Sequence, residues 1–421
     1  NRQDAELIDR TGKYVSQLIE GTLNYNKSYG AHSIDLLGGA TSFKTENDRA
    51  VTWVSGFPSN DIRQVSAASK IVQVQGTEVV STLQSVFGRL NYNYAGKYFL
   101  SGTIRRDGSS RFSEENRYGT FPSVSGAWTV SKENFLKDSN LINNLKIRGS
   151  YGELGSQNVG DYAYIPVLNI NSDAVFGSGQ NRIPGVSQTV FANPNLVWET
   201  TKTYNIGLDL TMFDYKLGFT VDYFDKKSED ILVSLRIPPT SGTNVPVAQN
   251  AASIQNNGLE LGTTYSNQFG DFNFNLGANI TFLTNEVLSL GENISPITGG
   301  VGSTSNQTRT DAGMQVASFY GYNVIGIYQT ESEISADDNA DPNAQPGDFI
   351  YEDLDNSGAL TVDDQKVLGS YVPDIEYGIT FDANYKNWDL NMIFNGVAGN
   401  EIYNNGIGRN LLNLGSNMTR A

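Results

Sequence analysis

The stretch Asp353-Leu-Asp355-Asn-Ser357-Gly358-Ala359-Leu-Thr361-Val-Asp363-Asp364 places oxygen donors at the spacing of an EF-hand-like calcium loop. Positions one, three and five are Asp353, Asp355 and Ser357; position seven offers the Ala359 carbonyl and position twelve is Asp364. Gly358 at position six permits the sharp turn. Calcium takes many oxygens at flexible distances, so these five residues predict a structural calcium site that would stiffen an external loop. The register departs from the usual one twice, with Ser at five and Asp in place of the longer Glu at twelve. The other reading is an Asx-rich loop whose side chains bond their own backbone. The match of the whole register, not of one acidic pair, favours calcium.

Other charged groups suggest less. Arg105, Arg106, Asp107 and Arg111 cluster at a strand end, either as a contact to another part of the protein or as a salt-bridged loop anchor. Asp209, Asp222, Glu260, Asp382 and Asp389 fall on the polar side of alternating segments and could line a polar lumen. Tyr162, Tyr164, Phe176 and Phe191 lie in a long insertion, placed either to stack on sugars or to pack a loop core. Enzyme chemistry finds little footing. His32 is the one histidine and there is no cysteine, which rules out a His-rich zinc site and most catalytic triads. No G-x-S-x-G, P-loop or H-E-x-x-H occurs. Gly299-Gly300-Val301-Gly302 lacks a lysine and reads as loop. Acids are abundant, but none stands out as a glycosidase pair. The chain reads as a non-enzyme.

The segments that carry these groups alternate with period two. In Phe87–Phe112, Leu90, Tyr92 and Tyr94 alternate with Arg89, Asn91 and Asn93; after the turn Ala95-Gly96, Tyr98, Leu100, Gly102 and Ile104 alternate with Phe99, Ser101, Thr103 and Arg105. Such alternation makes strands with one apolar and one polar face. Charged residues are 18% of 421, below the usual quarter. Tyr (22), Phe (20) and Gly (43) are plentiful, as a barrel wall requires. The net charge of −16 argues against nucleic acid as a partner. No apolar run reaches the length of a membrane helix, a test to which strands are blind.

Along the chain, hairpins alternate with excursions. Tyr14–Tyr25 and Ser33–Phe43 form the first, followed by a polar, less regular stretch from Lys44 to about Val80. Short connections fall at Ser28–Ala31, Ala95-Gly96, Ser131–Asn144, Phe213-Asp214, Gly270 and Lys386-Asn387. Between them lie the insertion from Gly152 to about Val197, a Pro-bearing loop from Ser228 to about Ser253, and an excursion over 286–372. The excursion contributes either two wall strands or none, with Phe319–Tyr328 part of such a pair or of a loop hairpin. Tyr92, Tyr94, Tyr98, Tyr215, Tyr265, Phe269, Tyr385 and Trp388 flank the short turns, as an aromatic girdle would. The reading is an antiparallel transmembrane β-barrel, a single partial domain over 1–421 with roughly a dozen strands, short periplasmic turns and long extracellular loops. A soluble all-β adhesin or carbohydrate-active protein is the alternative, in which a second layer would cover the apolar face.

Several runs resemble the SusC/RagA family of TonB-dependent outer-membrane transporters: Leu90–Tyr98, Arg105–Phe112, Arg117–Ser123, Leu145–Gly152, Asn193–Thr200 and Pro346–Asp355. They occur in family order over nearly the whole chain. The resemblance implies a multi-pass protein of the outer membrane of Bacteroidota and a barrel of about twenty-two strands. It also implies a plug, a TonB box worked by TonB–ExbB–ExbD, and a SusD-like surface lipoprotein as lid. The cargo would be an oligosaccharide or, less often, a peptide. Plug, TonB box and last strands are not found in this sequence, which reads as part of something longer. A siderophore or cobalamin receptor is the neighbouring possibility, against which Arg105–Phe112 and Pro346–Asp355 speak.

Overall fold

The structure, a computed structural model, describes residues 5–169, 174–235, 240, 245–291, 294–300 and 307–404. Twelve long strands form one sheet in sequential order, each antiparallel to its neighbour wherever the register is defined. They are β1 (Glu6–Tyr29), β2 (His32–Ser55), β3 (Lys70–Tyr94), β4 (Tyr98–Ser109), β5 (Tyr118–Thr129), β6 (Ile142–Ser156), β7 (Glu199–Met212), β8 (Leu217–Leu235), β9 (Val247–Phe269), β10 (Phe272–Ser289), β11 (Ile375–Tyr385) and β12 (Trp388–Ala398). All six short connections expected from the sequence join neighbouring strands of this sheet, the one expected at Ser131–Asn144 being a twelve-residue link over 130–141. At the β3–β4 turn Ala95 and Gly96 both have positive φ, 54° and 63°, which fits the twist of a tight hairpin. Gly96 supplies that conformation without a Cβ, and its N–H bonds Asn93 Oδ1 at 2.9 Å.

The chain divides into two compact units, Asn1–Trp128 with Ser150–Lys202 and Asp230–Asn250, and Thr129–Gly149 with Thr203–Glu229 and Ala251–Ala421. In the first, the apolar face is bare: Val86 is 64% exposed, Ile104 57% and Leu100 48%. The second shows the same inversion at Ile206, Phe219, Ile379 and Leu390. Among the described residues no second layer packs on these side chains, so the soluble-sandwich alternative fails. Burying this face in water-free surroundings is worth about 25 cal/mol per Å2, which only hydrocarbon can supply here. At the short-turn end aromatic rings form ladders. Tyr94 stacks on Tyr98 at 6.3 Å and Tyr98 on Trp128 at 6.4 Å, while Phe269 and Tyr265 meet Phe274 in the second unit. Lys27 and Lys386 lie over Tyr29 and Tyr385.

Three expectations change. Lys44–Ser55 and Lys70–Val80 are strand, not irregular, and β1 and β2 pair without a break from Glu6↔Ser55 to Tyr29↔His32. β8 and β9 likewise run into the Pro-bearing loop, as far as Leu235 and from Val247. Alternation fades once a strand leaves the lipid band, because both faces are then wet, yet the backbone ladder continues. The excursion runs over 290–374 instead of 286–372; of its two readings the one without a wall strand holds, since β10 pairs directly with β11. Ser318–Tyr322 and Val324–Ile327 belong to small sheets within it. The insertion before β7 also holds two small two-stranded sheets. Val301, Gly302 and residues 236–239 and 241–244 lie outside the described residues. No described helix is long and apolar enough to cross a membrane.

Candidate functional site

Three clusters carry the polar chemistry. The first closes the loops of the first unit. Phe112, Phe121, Val159, Leu196 and Trp198 form a buried apolar core on the polar-face side of the strand ends. Trp198 meets Phe112 at 5.1 Å and Phe121 edge-on at 5.5 Å, and its indole N–H donates to the Arg117 carbonyl at 3.1 Å. A Cβ at Gly119 or Gly155 would run into the Phe121 ring, so both glycines make its seat. Charges hold the rim. Arg105 Nε donates to Asp107 at 2.8 Å and its Nη2 to Ser85 Oγ at 2.8 Å. Arg111 pairs with Asp161 at 2.8 Å and bonds the Gln157 carbonyl, and Arg106 lies over Tyr118 at 4.9 Å. The arginine cluster is thus an anchor for the loops.

Of the insertion aromatics, Tyr162 bonds the Val80 backbone, Phe176 is well exposed, and none joins the core. The sequence reading missed Phe112, Leu196 and Trp198 as a core. The signal was available: three of the runs quoted above, ending at Phe112, Ser123 and Thr200, supply four of its five residues.

In the second unit, Arg148 reaches from β6 to two carboxylates on the polar face. Its Nη2 lies 2.5 Å from Asp222, its Nε 3.3 Å from Asp209, and its Nη1 bonds Asn205. Gly207 leaves room for the guanidinium. Asp209 and Asp222 are therefore half of an ion-pair network, not free lumen charges. Asp382 pairs with Asn391, while Glu260 and Asp389 stay exposed. Beside the network a hollow of about 400 Å3 is floored by Gly218, Gly262 and Gly277 and walled by Thr220, Thr264 and Thr380.

The third cluster is the acidic loop of the excursion. Carboxylate oxygens of Asp353, Asp355 and Asp364 lie within 4.8 Å of one another. Ca–O bonds of 2.3–2.6 Å allow that separation across one ion. Asp364 is fully buried and accepts from the backbone N–H groups of Thr361 at 2.6 Å and Leu354 at 2.9 Å. The Thr361 N–H leads the causes that hold its carboxyl below the usual range. Asp353 accepts from Ser357 and Gly358 N–H and Asp355 from Ser357 N–H. The Ser357 hydroxyl donates to the Ala359 carbonyl at 3.0 Å, so these two expected ligands bond each other. Next to the loop, Lys366 at 2.5 Å leads the causes that depress Glu352. Burial, aided by Asp337 at 2.5 Å, pushes the Tyr328 hydroxyl up to about 12.

A family model, TonB dependent receptor-like, beta-barrel, matches residues 2–392. The chain belongs to this family. Its type is SusC/RagA. The TonB-dependent receptor P3 of Formosa agariphila is 36% identical over 408 residues, covering 96% of this chain and 40% of that protein. The TonB-dependent receptor SusC of Bacteroides thetaiotaomicron is 30% identical over 390 residues, covering 90% and 37%. In fold, this TonB-dependent receptor barrel superposes on the RagAB peptide transporter with a TM-score of 0.77 at 22% identity, covering 93% of this chain and 42% of that one. The chain thus spans about 40% of the length of its curated relatives. It is an outer-membrane protein of a family of receptors and transporters, not enzymes.

Proposed function

We propose that the whole protein imports nutrient oligomers across the outer membrane, driven by TonB–ExbB–ExbD and capped by a SusD-like surface lipoprotein. The observation that carries this reading is the wall. Among the described residues its apolar face has no protein cover, while its polar face holds a charged network and a glycine-floored hollow that suit a water-filled path. Oligosaccharide is the first cargo class and peptide the second. The RagAB likeness favours neither, because at 22% identity it speaks for fold alone. Uptake of labelled oligosaccharides and peptides should be measured in cells with and without the gene, and with TonB depleted. The expected result is loss of one cargo class in both; unchanged uptake of every class would sink the proposal.

Asp353, Asp355, Ser357, Ala359 and Asp364 are further proposed to hold a structural calcium ion. The all-oxygen donor set and the 4.8 Å clustering support it. Binding requires the Ser357 hydroxyl to turn from the Ala359 carbonyl, freeing both as ligands. Calorimetry on the full-length protein should show calcium binding that Asp353→Asn abolishes. Heat identical in wild type and variant would leave only the self-bonded Asx loop.

A further inference from the structure

β1–β3 outrun their neighbours. β3 pairs with β2 over its full length but with β4 only from Leu83 to Tyr94. The part from Lys70 to Thr82 therefore has one partner strand and one open edge. Two local bonds show which residues face that edge. Thr82 donates its N–H to Ser110 Oγ at 2.9 Å, and its carbonyl accepts from Ser110 N–H at 3.0 Å. Val80 donates its N–H to the Tyr162 hydroxyl, which in turn donates to the Val80 carbonyl, both at 3.1 Å. The ladder to β2 shifts register only beyond Gln73. Strand alternation therefore sends the N–H and C=O of Glu78, Gly76 and Val74 the same way.

Among the described residues nothing bonds those groups. Residues 71–78 are all exposed, with Ile71 at 71% and Val74 at 65%. Ile71-Val-Gln-Val-Gln-Gly-Thr77 carries no charge and no proline, and Glu78 is the one charged residue of the 74–78 edge. Strand edges that must stay alone are blunted by several charges, proline or cover; a strand-forming edge with so little charge recruits another strand.

We propose that the Val74–Glu78 edge of β3 is a β-augmentation site for an extended segment of the SusD-like surface lipoprotein. The inference rests on the import reading and names where the lid holds on. Its place argues for this partner. The apolar band of β3 ends at Val86, opposite Arg106 on β4, so the open edge stands beyond the band on the long-loop, outer side. A resident occupant is needed, because a transient cargo would leave the edge bare between turnovers. A second copy fits poorly. A two-fold that keeps two copies in one membrane runs along its normal, so strands tilted about 35–45° from it cross at about twice that angle and cannot pair antiparallel, the more stable pairing. The Tyr162 hydroxyl already occupies one rung and marks where an added strand would end.

The test uses the full-length protein with the purified SusD-like lipoprotein encoded beside it. Amide exchange over 74–78 is expected to be fast in the free protein and at least about tenfold slower in the complex. The double variant Val74→Pro/Glu78→Pro removes only outward N–H groups and leaves the β2 ladder intact. It should bind the lipoprotein at least about tenfold more weakly while keeping the heat-shifted gel mobility of a folded barrel. Equal exchange in the free and bound protein overturns the inference, as does a folded variant that binds within twofold of wild type. Protection without lipoprotein also overturns it, assigning the edge to a second copy or to the chain itself. If the variant does not fold, the exchange measurement decides alone. A wild type that binds no lipoprotein removes the lid from the import reading and this inference with it.

Discussion

Two regions of the first unit hold together by opposite physics. The wall of β3–β5 turns Val86, Leu90, Leu100, Ile104 and Val124 outward and keeps its order through unbroken ladders. The loop core turns Phe112, Leu196 and Trp198 inward, with almost no ladder to bind its segments. In the wall the backbone specifies and the membrane supplies the apolar medium. In the loops side-chain packing must do both tasks. A substitution that shortens a side chain should therefore hurt the loops, and one that adds charge should hurt the wall.

The largest contrast lies in truncation. Trp198→Ala should cost about 3–5 kcal/mol of loop stability, as for a large aromatic lost from a packed core. Proteolysis within 157–198 should rise steeply while the barrel keeps its heat-shifted mobility. Ile104→Ala should leave both unchanged within error. If the two variants behave alike, the division between wall and loop core is wrong. Gly155→Ala offers a second probe, because its Cβ meets the Phe121 ring.

Charge reverses the ranking. Leu90 lies midway between Tyr94 at the girdle and Val86 at the other limit of the apolar band. Leu90→Arg should cost about 2–4 kcal/mol, the range for a cation at the midplane of a barrel wall. Thr103→Arg, opposite Arg89 on the polar face, should cost far less. Urea titration of the protein folded into lipid vesicles measures both. Equal costs would mean that the apolar face does not meet hydrocarbon.

How much of this was readable from the chain follows the same division. Alternation, as in Leu90–Tyr94 and Tyr98–Ile104, disclosed strands, their faces and the short connections between them, because a lipid-facing strand must write its apolar face in every second residue. The outer halves of β1–β3 were unreadable for the converse reason: with water on both sides nothing enforces the pattern, and only the ladder records it. The loop core was hidden because Phe112, Phe121 and Trp198 come from three distant segments whose meeting no local period announces. Asp209 and Asp222 looked like lumen charges since their partner, Arg148, lies on another strand. The approach of Asp353, Asp355 and Asp364 to one another was readable because their spacing is local.

The polar-face network should be worth less than either effect. Arg148 is partly exposed and serves two carboxylates, so a double-mutant cycle of Arg148→Ala with Asp222→Ala should give a coupling of about 1 kcal/mol, reduced by salt. Coupling near zero would mean that water already screens the pair.

The smallest effect belongs to the excursion, and its sign follows from Asp364. The Thr361 N–H and its neighbours hold this carboxyl below the ordinary value near 4, so the ordered loop binds fewer protons than the open one. Its contribution is complete above about pH 4 and is lost as pH falls through the depressed value. Tyr328 works from the other side. Raised to about 12, its contribution is complete below the ordinary tyrosine value near 10 and is lost between there and about 12. Amide protection, corrected for intrinsic exchange, should therefore be flat from about pH 5 to 9, falling on the acid side at Leu354 and Thr361 and on the alkaline side at Tyr328 and Gly347. Asp364→Asn should remove the acid limb and spare the alkaline one. Calcium, which binds only the ionised carboxylate, should move the acid limb to lower pH in the wild type and do nothing in the variant. An acid limb that ignores calcium would leave the loop to its own hydrogen bonds.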